Sequence, residues 1–342
     1  MTEPKKERNY LFDNLKALLI FCVVFAHFLR VSGHFEVESL SRTIYIICFT
    51  FMMQGFFFTS GFFSQNVDKC RAKAVETLAL PYFVFMILNY FARLIIFGEA
   101  HLNFLQPSHA MWFLIAMFIY RFGIKTFDKI PFVLPLSAIL YFAAGAIPFL
   151  GATLALGRSC SFLVFFMLGY FCRWEHINKL RRIPKPVMII PAAALLYLSN
   201  QYACQKDYSV DLLLLKSNYI DQGASLTEDM MARLIVLIAS LLWLAIWINW
   251  MPNKRLPVIS VIGQNTMTVF LLHIFVRYVM KWRGLRELTM IDEGDIVYCL
   301  IIMGIAMICV YLFSRPIVAK AYDRSMHFLY QIGAAPLTRM VK

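Results

Sequence analysis

The first long apolar run of the chain, residues 11–31, carries ionisable side chains at a suggestive spacing. Asp13 and Lys16 lie near its start and His27 near its end. In an α-helix, eleven residues bring Lys16 and His27 to nearly the same face, about 16 Å apart along the axis, and Asp13 lies within reach of Lys16. Ionisable groups in an apolar helix are costly, so they usually face a protein interior or a wet cavity and mark function. The alternative is that Asp13 and Lys16 only anchor the helix at an interface, with His27 a core histidine.

Polar side chains also open two later apolar runs. His109 begins the run HAMWFLIAMFIYR, and Trp112 follows about one turn later. Arg158 lies at the start of GRSCSFLVFFMLGYF. An arginine in this position suits an anionic or hydroxyl-rich ligand. Tryptophan and arginine are also common anchors at membrane interfaces, and that reading stays open.

The stretch GQNTMTVFLLHIF, residues 263–275, has too many polar groups for a helix that faces lipid. Asn265 and His273 are its candidates for contact with a ligand, and the helix is expected to be internal. The alternative role of these groups is hydrogen bonding between helices.

Two other motifs allow both a functional and a structural reading. The run FMMQGFFFTSGFFS places Gly55 and Gly61 among aromatic residues, where a neighbouring backbone or a ligand can approach closely. In the following segment, DKCRAKAVETLALPY, Lys69, Arg71 and Lys73 suit the phosphates of a nucleotide-bearing donor. They equally suit a plain cytoplasmic loop rich in positive charge.

The composition excludes most soluble classes of protein. Of the 342 residues, 60% are hydrophobic and 16% aromatic, whereas soluble domains are nearer half apolar. The net charge of +13 lies in short segments between apolar runs, which is the distribution of a membrane protein and not of a nucleic-acid-binding one.

No metal or disulfide framework is indicated by the sequence. The eight cysteines are scattered and form no C-x-x-C pair. Gly-rich nucleotide-binding loops, H-E-x-x-H, G-x-S-x-G and paired carboxylates are also missing from the sequence. Carboxylates within the apolar runs are nearly absent beyond Asp13, which argues against a proton-coupled pump.

The apolar runs predict an all-α bundle of about ten transmembrane helices in a single domain, residues 1–342. Prolines are expected to mark the starts of several of them, namely at Pro81, Pro131, Pro186 and Pro257. The first run resembles a signal peptide but is expected to be a retained helix. The predicted spans are 11–31, 43–64, 75–97, 109–123, 130–150, 157–173, 186–205, 230–250, 257–280 and 295–315.

The basic residues predict the orientation of this bundle. With the N-terminus in the cytoplasm, the interhelical segments richest in Lys and Arg all fall on the inner side. Both termini are therefore expected to be cytoplasmic.

Taken together and in order, the motifs resemble those of integral-membrane acyltransferases of the acyltransferase-3 family, specifically its fucose 4-O-acetylase-like branch. The stretches that carry the resemblance are DNLKALLIFCVVFAH at 13–27, FFFTSGFF at 56–63, LPYFVF at 80–85, MWFLIAMFIYR at 111–121, and the runs at 157–171 and 263–275. Each is weakly specific alone, and together they cover nearly the whole chain.

The resemblance implies a ten-helix bundle in the bacterial cytoplasmic membrane that moves an acyl group, expected to be acetyl, from cytoplasmic acyl-CoA to a hydroxyl of a cell-envelope glycan. It implies that His27 is the general base and Lys16 the basic residue that precedes it in the family. The basic pair that the family shows before its third helix is matched only loosely by Lys69, Arg71 and Lys73, the candidate contacts to acetyl-CoA. An appended SGNH-type hydrolase domain is not expected.

Acyl transfer needs a base near the acceptor hydroxyl and a donor for the developing oxyanion. Neutral His27 suits the first role, and Arg158, Asn265 or His273 suits the second. The expected partners are acyl-CoA, a glycan and membrane lipids, with neither nucleic acid nor metal, and the chain is either a monomer or a homo-oligomer. The competing hypotheses are a flippase for a lipid-linked glycan and a membrane sensor. Transporters tend to show inverted repeats and paired broken helices, and the sequence shows neither.

Overall fold

The computed structural model describes residues 9–31, 35–147, 153–205, 225–283 and 295–334, together with positions 210, 214 and 215. Every regular element in these ranges is helical. The α-helices are α1 Leu11–Val31, α2 Leu40–Phe49, α3 Met52–Phe62, α4 Val67–Ala74, α5 Leu80–Phe97, α6 Trp112–Phe127, α7 Val133–Ala146, α8 Leu156–Phe171, α9 Trp174–Arg181, α10 Ile189–Ala203, α11 Leu226–Trp250, α12 Pro257–Gln264, α13 Thr266–Arg283, α14 Asp295–Phe313 and α15 Pro316–Leu329.

Within the described ranges, seven helical segments are long and apolar enough to cross a membrane, or up to nine when two bent helix pairs each count as one span. The all-helical membrane fold is thus confirmed. The fifth predicted span, 130–150, corresponds to α7, whose 14 residues make a short apolar helix that is not among these seven to nine. Ten spans and cytoplasmic termini stay predictions, and the terminal residues 1–8 and 335–342 lie outside the described residues.

Two pairs of consecutive helices are bent at a break, although the sequence indicates no paired breaks. Only one break falls within a predicted span, 257–280, because α9 precedes the predicted span 186–205. Helices α9 and α10 meet at 92°, and α12 and α13 meet at 82° across Asn265. Both breaks lie near the end of the bundle where α1 begins. The Trp174 ring of α9 contacts the ring of Phe12, 5.6 Å between centroids, and Gly263 of α12 lies against the Asp13 backbone.

The third predicted span begins earlier than expected. It was predicted to start at 75, with Pro81 close to its first turn, but the helix runs from Val67 to Phe97 without a break. Pro81 has no N–H to donate to the preceding turn and its ring crowds that turn. A π-helical turn at Val75–Ala79 lies directly before it. The wider turn allows the helix to continue through the proline.

Helices α3 and α8 approach each other through two glycines. A Cβ atom at Gly61 would overlap the carbonyl oxygen of Phe166, and one at Gly169 would overlap that of Phe58. The backbones can come this close only because neither glycine has a side chain. The glycine-bearing motif of α3 therefore serves helix packing at Gly61.

We expect Gly61→Ala and Gly169→Ala each to lower the free energy of unfolding by about 1–3 kcal/mol through overpacking. Where the added Cβ atom meets no neighbour, replacing glycine by alanine in a helix should instead raise stability by about 1 kcal/mol. Gly304→Ala in α14 is the matched control, because nothing lies within 4 Å of the added Cβ atom. Thermal unfolding in detergent measures all three, and Gly61 and Gly169 variants as stable as the control would contradict the close approach.

Helix α1 is held in the interior by contacts at its first turns. Asn14 is fully buried, and its Nδ2 donates to the carbonyl oxygens of Pro252 (2.8 Å) and Lys254 (3.0 Å). Its Oδ1 accepts from Ser260 Oγ at 2.8 Å. Because these partners precede or begin α12, the start of α1 is fixed against the bent pair α12–α13, and this positions His27 against α13.

Candidate active site

The side chains of His27 on α1 and His273 on α13 are in direct contact. His27 Nδ1 lies 2.8 Å from His273 Nε2. The two rings are nearly parallel, with an interplanar angle of 12° and 5.1 Å between centroids. His273 is fully buried, whereas His27 is partly accessible.

The remaining contact of His273 determines which nitrogens carry protons when both rings are neutral. The carbonyl oxygen of Val269 can only accept, so His273 Nδ1, 3.1 Å away, donates to it. His273 Nε2 is then an acceptor, and the Nδ1–H of His27 donates to it. The lone pair of His27 is therefore on Nε2, for which the described residues provide no hydrogen-bond partner. This is the form in which an imidazole can take a proton from a hydroxyl.

A cavity of about 320 Å³ lies at the end of the bundle where α1 ends. His27 lines it, and His273, on the far side of His27, does not. None of its described lining residues is a carboxylate, and no group of three or more His, Cys, Asp or Glu among the described residues could hold a metal ion. Its charged and polar lining residues are His27, Arg30, Tyr45, His109, Trp112, Arg158 and Arg277.

Arg277 and His109 form a pair on the wall of this cavity. Arg277 Nη1 lies 3.1 Å from His109 Nδ1. Because a guanidinium can only donate, His109 Nδ1 accepts and its Nε2 carries the proton when the ring is neutral. The backbone of His109 has a φ of 44°, a left-handed conformation that costs about 1–3 kcal/mol and persists where the surroundings impose it. The pair therefore presents N–H donors from a backbone held in an unusual conformation.

The other two predicted residues at this end also line the cavity. The guanidinium carbon of Arg158 lies 4.7 Å from the centre of the Trp112 ring. Stacking on the indole keeps this arginine within the bundle, because a cation over an aromatic face is stabilised by the ring quadrupole. The structure thus brings His27, His109, Trp112 and Arg158 to one cavity.

Asp13 and Lys16 lie at the opposite end of α1. Lys16 Nζ is 3.2 Å from Asp13 Oδ1, and Gln264 Nε2 donates to Asp13 Oδ2 at 3.3 Å. Asn265 is at the nearby break between α12 and α13, where its Nδ2 donates to the Ser314 carbonyl at 2.8 Å. It is not among the residues that line the cavity.

The basic residues Lys69, Arg71 and Lys73 are exposed on α4. They lie towards the same end as Lys16, because Phe62 at the close of α3 contacts Phe12 of α1, with 4.7 Å between ring centroids. The Arg71 guanidinium covers the Phe122 ring at 4.6 Å. The two groups of predicted residues thus occupy the two ends of the bundle.

The site contains cavity residues that the sequence reasoning missed. Arg30 is three residues after His27, and Arg277 is four after His273, so each shares a helix face with a histidine. Arg30 Nη1 donates to Tyr45 Oη at 2.9 Å. The i,i+3 and i,i+4 spacing from the two histidines is the sequence signal by which these arginines could have been found.

Comparison with known proteins gives one relationship. No curated protein and no solved structure matches the chain. A family model described as an acyltransferase domain, of the acyltransferase-3 type, matches residues 9–315. That range contains His27, His273 and every described residue that lines the cavity. The chain therefore belongs to this acyltransferase family.

Proposed function

We propose that the protein is a membrane O-acetyltransferase that moves an acetyl group from cytoplasmic acetyl-CoA to a hydroxyl of a cell-envelope glycan. The observation that carries this proposal is the His27–His273 pair, which leaves His27 Nε2 as a base in a cavity rich in N–H donors, within a chain of the acyltransferase family. We place the chain in the fucose 4-O-acetylase-like branch and in the bacterial cytoplasmic membrane, with both termini inside.

In the proposed reaction, His27 Nε2 takes the proton of the acceptor hydroxyl as its oxygen attacks the thioester carbonyl. A carbon–oxygen bond forms, and the carbon–sulfur bond breaks when the tetrahedral intermediate collapses. The proton held on His27 Nε2 passes to the departing thiolate, so the imidazole returns to its starting form. His273 accepts from His27 Nδ1–H throughout and stabilises the imidazolium, as the orienting group does in a catalytic triad.

The developing oxyanion needs donors that are already in position. In our proposal they come from Arg158, from Arg277 and from the Nε2–H of His109, all of which line the cavity. Arg277 has N–H groups left beyond the one that it donates to His109. His273 does not serve this role, because Val269 and His27 engage both of its nitrogens. Asn265 does not serve it either, because it lies at the helix break.

The opposite end of α1 is proposed to receive the donor. Lys16, paired with Asp13, and the basic residues Lys69, Arg71 and Lys73 of α4 provide positive charge for the phosphates of CoA. The distance of about 16 Å between Lys16 and His27 is one that an extended pantetheine arm can span.

Changing Lys69, Arg71 and Lys73 together to glutamine is expected to weaken acetyl-CoA binding and to make the remaining binding less sensitive to salt, because screened charge pairs are removed. Binding to the purified, correctly folded protein can be followed by calorimetry from 50 mM to 500 mM salt, concentrations that span Debye lengths of roughly 4–14 Å. Lys320→Gln/Arg324→Gln, which removes two positive charges from exposed α15, is the control for charge loss elsewhere. Unchanged affinity for acetyl-CoA in the triple variant would mean that these residues serve only as positive charge of a cytoplasmic loop.

A transport function is the alternative, and the bent pairs α9–α10 and α12–α13 are the observation in its favour. In transporters, broken helices meet near the membrane midplane and line the substrate site. Here both breaks lie near the start of α1, away from the His27 cavity. The geometry therefore favours the enzyme.

The decisive experiment is mass spectrometry of envelope glycans from cells with and without the gene, alongside thiol release from acetyl-CoA by the purified protein. Loss of an acetyl ester in cells, with thiol release that depends on added glycan, is the expected result. A glycan that is unchanged in chemistry but retained on the cytoplasmic side would support the flippase.

A further inference from the structure

Two more cavities continue from the one at His27. A second cavity, about 430 Å³ in volume, shares His109 and Arg277 with the first. A third, about 300 Å³ in volume, shares Arg93 and Ser108 with the second. Because neighbouring cavities share lining residues, the three adjoin one another from His27 along the loop between α5 and α6, and we call the set the cleft.

The second cavity is basic. Arg93, Lys281 and Arg277 line it, together with a single described carboxylate, Glu99. Arg93 and Lys281 make no hydrogen bond or ion pair with a described residue, and Lys281 Nζ lies 5.6 Å from the centre of the Phe97 ring. Three cations against one carboxylate leave an excess of positive charge, which a bound anion would satisfy.

A buried hydroxyl in the second cavity also lacks a partner. Tyr278 is 1% exposed, and its Oη has no hydrogen-bond partner among the described residues. Buried polar groups are normally hydrogen-bonded, so an unpaired one that lines a cavity indicates a ligand or ordered water there.

The third cavity is lined by groups that suit sugar hydroxyls. Asn89 is 1% exposed, and neither its Nδ2 nor its Oδ1 has a partner among the described residues. A carboxamide offers both donors and acceptors, which matches the mixed demand of a hydroxyl group. The other polar residues of this cavity are Tyr90, His101, Asn103 and Gln106.

We propose that the cleft binds an anionic glycan of more than one sugar. The sugar that reacts occupies the His27 cavity, a carboxylate or phosphate of the chain binds Arg93 and Lys281 in the second cavity, and a further sugar hydrogen-bonds Asn89 in the third. This inference rests on the proposed transferase function and adds the acceptor's charge and length. A neutral acceptor would leave Arg93 and Lys281 of the second cavity without an anion to bind, and a monosaccharide would leave the Asn89 amide of the third without a hydroxyl.

The test uses glycans from cells that lack the gene, separated by anion exchange into acidic and neutral fractions. Each fraction is incubated with the purified protein and acetyl-labelled acetyl-CoA. We expect label in the acidic fraction, and less after hydrolysis of that fraction to single sugars. Label in the neutral fraction would overturn the inference. Label in neither fraction would instead contradict the transferase function on which it rests.

The source of the anion is distinguished by two treatments of the acidic fraction. Reduction of its carboxyl groups removes a sugar acid, and dephosphorylation with hydrofluoric acid removes a phosphate. One of the two is expected to abolish labelling and so to identify the anion. Labelling that survives both treatments would overturn the requirement for charge.

The residues are tested with Arg93→Gln/Lys281→Gln and with Asn89→Leu. We expect KM for the acidic fraction to rise by about tenfold or more in each, the value of one lost hydrogen bond to a charged or buried group, with a smaller change in kcat. Lys320→Gln/Arg324→Gln removes the same charge from α15 and should keep the wild-type KM. Melting temperatures show that the variants are folded. An unchanged KM in folded variants would remove the second and third cavities from acceptor binding.

Discussion

Replacing His27 by glutamine is expected to lower kcat for acetyl transfer by about 10²–10⁴-fold, because an amide cannot accept a proton at neutral pH. The loss corresponds to about 3–5 kcal/mol of activation free energy. His27→Ala should lose a similar factor. Both are measured as glycan-dependent thiol release from acetyl-CoA, with the melting temperature in detergent recorded for each variant.

The two variants together separate a base from a core histidine. Glutamine keeps a hydrogen-bonding group against His273, whereas alanine leaves a cavity and should lower stability. If His27 only fills space, the glutamine variant should be active and only the alanine variant impaired. His176→Gln, on exposed α9, is the control for histidine loss elsewhere and should keep full activity. An active His27→Gln enzyme, or activity that merely follows melting temperature, would contradict the assignment.

The sequence predicts much of the fold because apolar run length translates directly into helices. The first span, 11–31, is reproduced to the residue by α1. The breaks were not predictable in the same way. At the 82° bend, Asn265 donates to the Ser314 carbonyl, 49 positions away, and the continuous helix through Pro81 contains a π-helical turn just before the proline. Apolar periodicity contains neither kind of information.

The sequence predicts several of the residues that line the site but not how these residues are arranged in space. His27, His109, Trp112 and Arg158 were chosen because polar residues in apolar helices usually face a cavity. Their meeting depends on how α1, α6 and α8 pack, and no local spacing in the sequence encodes it. The same holds for His273, whose contact with His27 spans 246 positions of the chain. Only the tertiary structure distinguishes a residue that lines the cavity, such as His27, from one behind it, such as His273.

Replacing His273 by leucine is expected to lower kcat by about 10²–10⁴-fold while KM for acetyl-CoA and for the glycan stays near the wild-type value. His273 does not line the cavity, so substrate binding has no direct contact to lose. The variant loses the hydrogen-bond acceptor that fixes the tautomer and orientation of His27. In serine proteases, replacing the aspartate that orients the catalytic histidine lowers kcat by about 10⁴-fold. Steady-state kinetics with both substrates measure the two constants separately.

His273→Gln tests whether the lost function is hydrogen bonding. Its side-chain oxygen can still accept from His27 Nδ1–H, so it should recover at least about tenfold of the turnover lost in His273→Leu, as one hydrogen bond of about 1.4 kcal/mol would. Thr268→Val on the same helix loses its bonds to the carbonyls of Asn265 and Phe313. It is the control that should lose stability without losing turnover.

Activity and stability should then rank the two His273 variants in opposite orders. Leucine fits a buried position at least as well as an amide does, since burying a polar group is costly unless every bond is made. His273→Leu is therefore expected to melt no lower than His273→Gln and yet to be the slower enzyme. A purely structural His273 would give the same order in both measurements, with leucine the better residue in each.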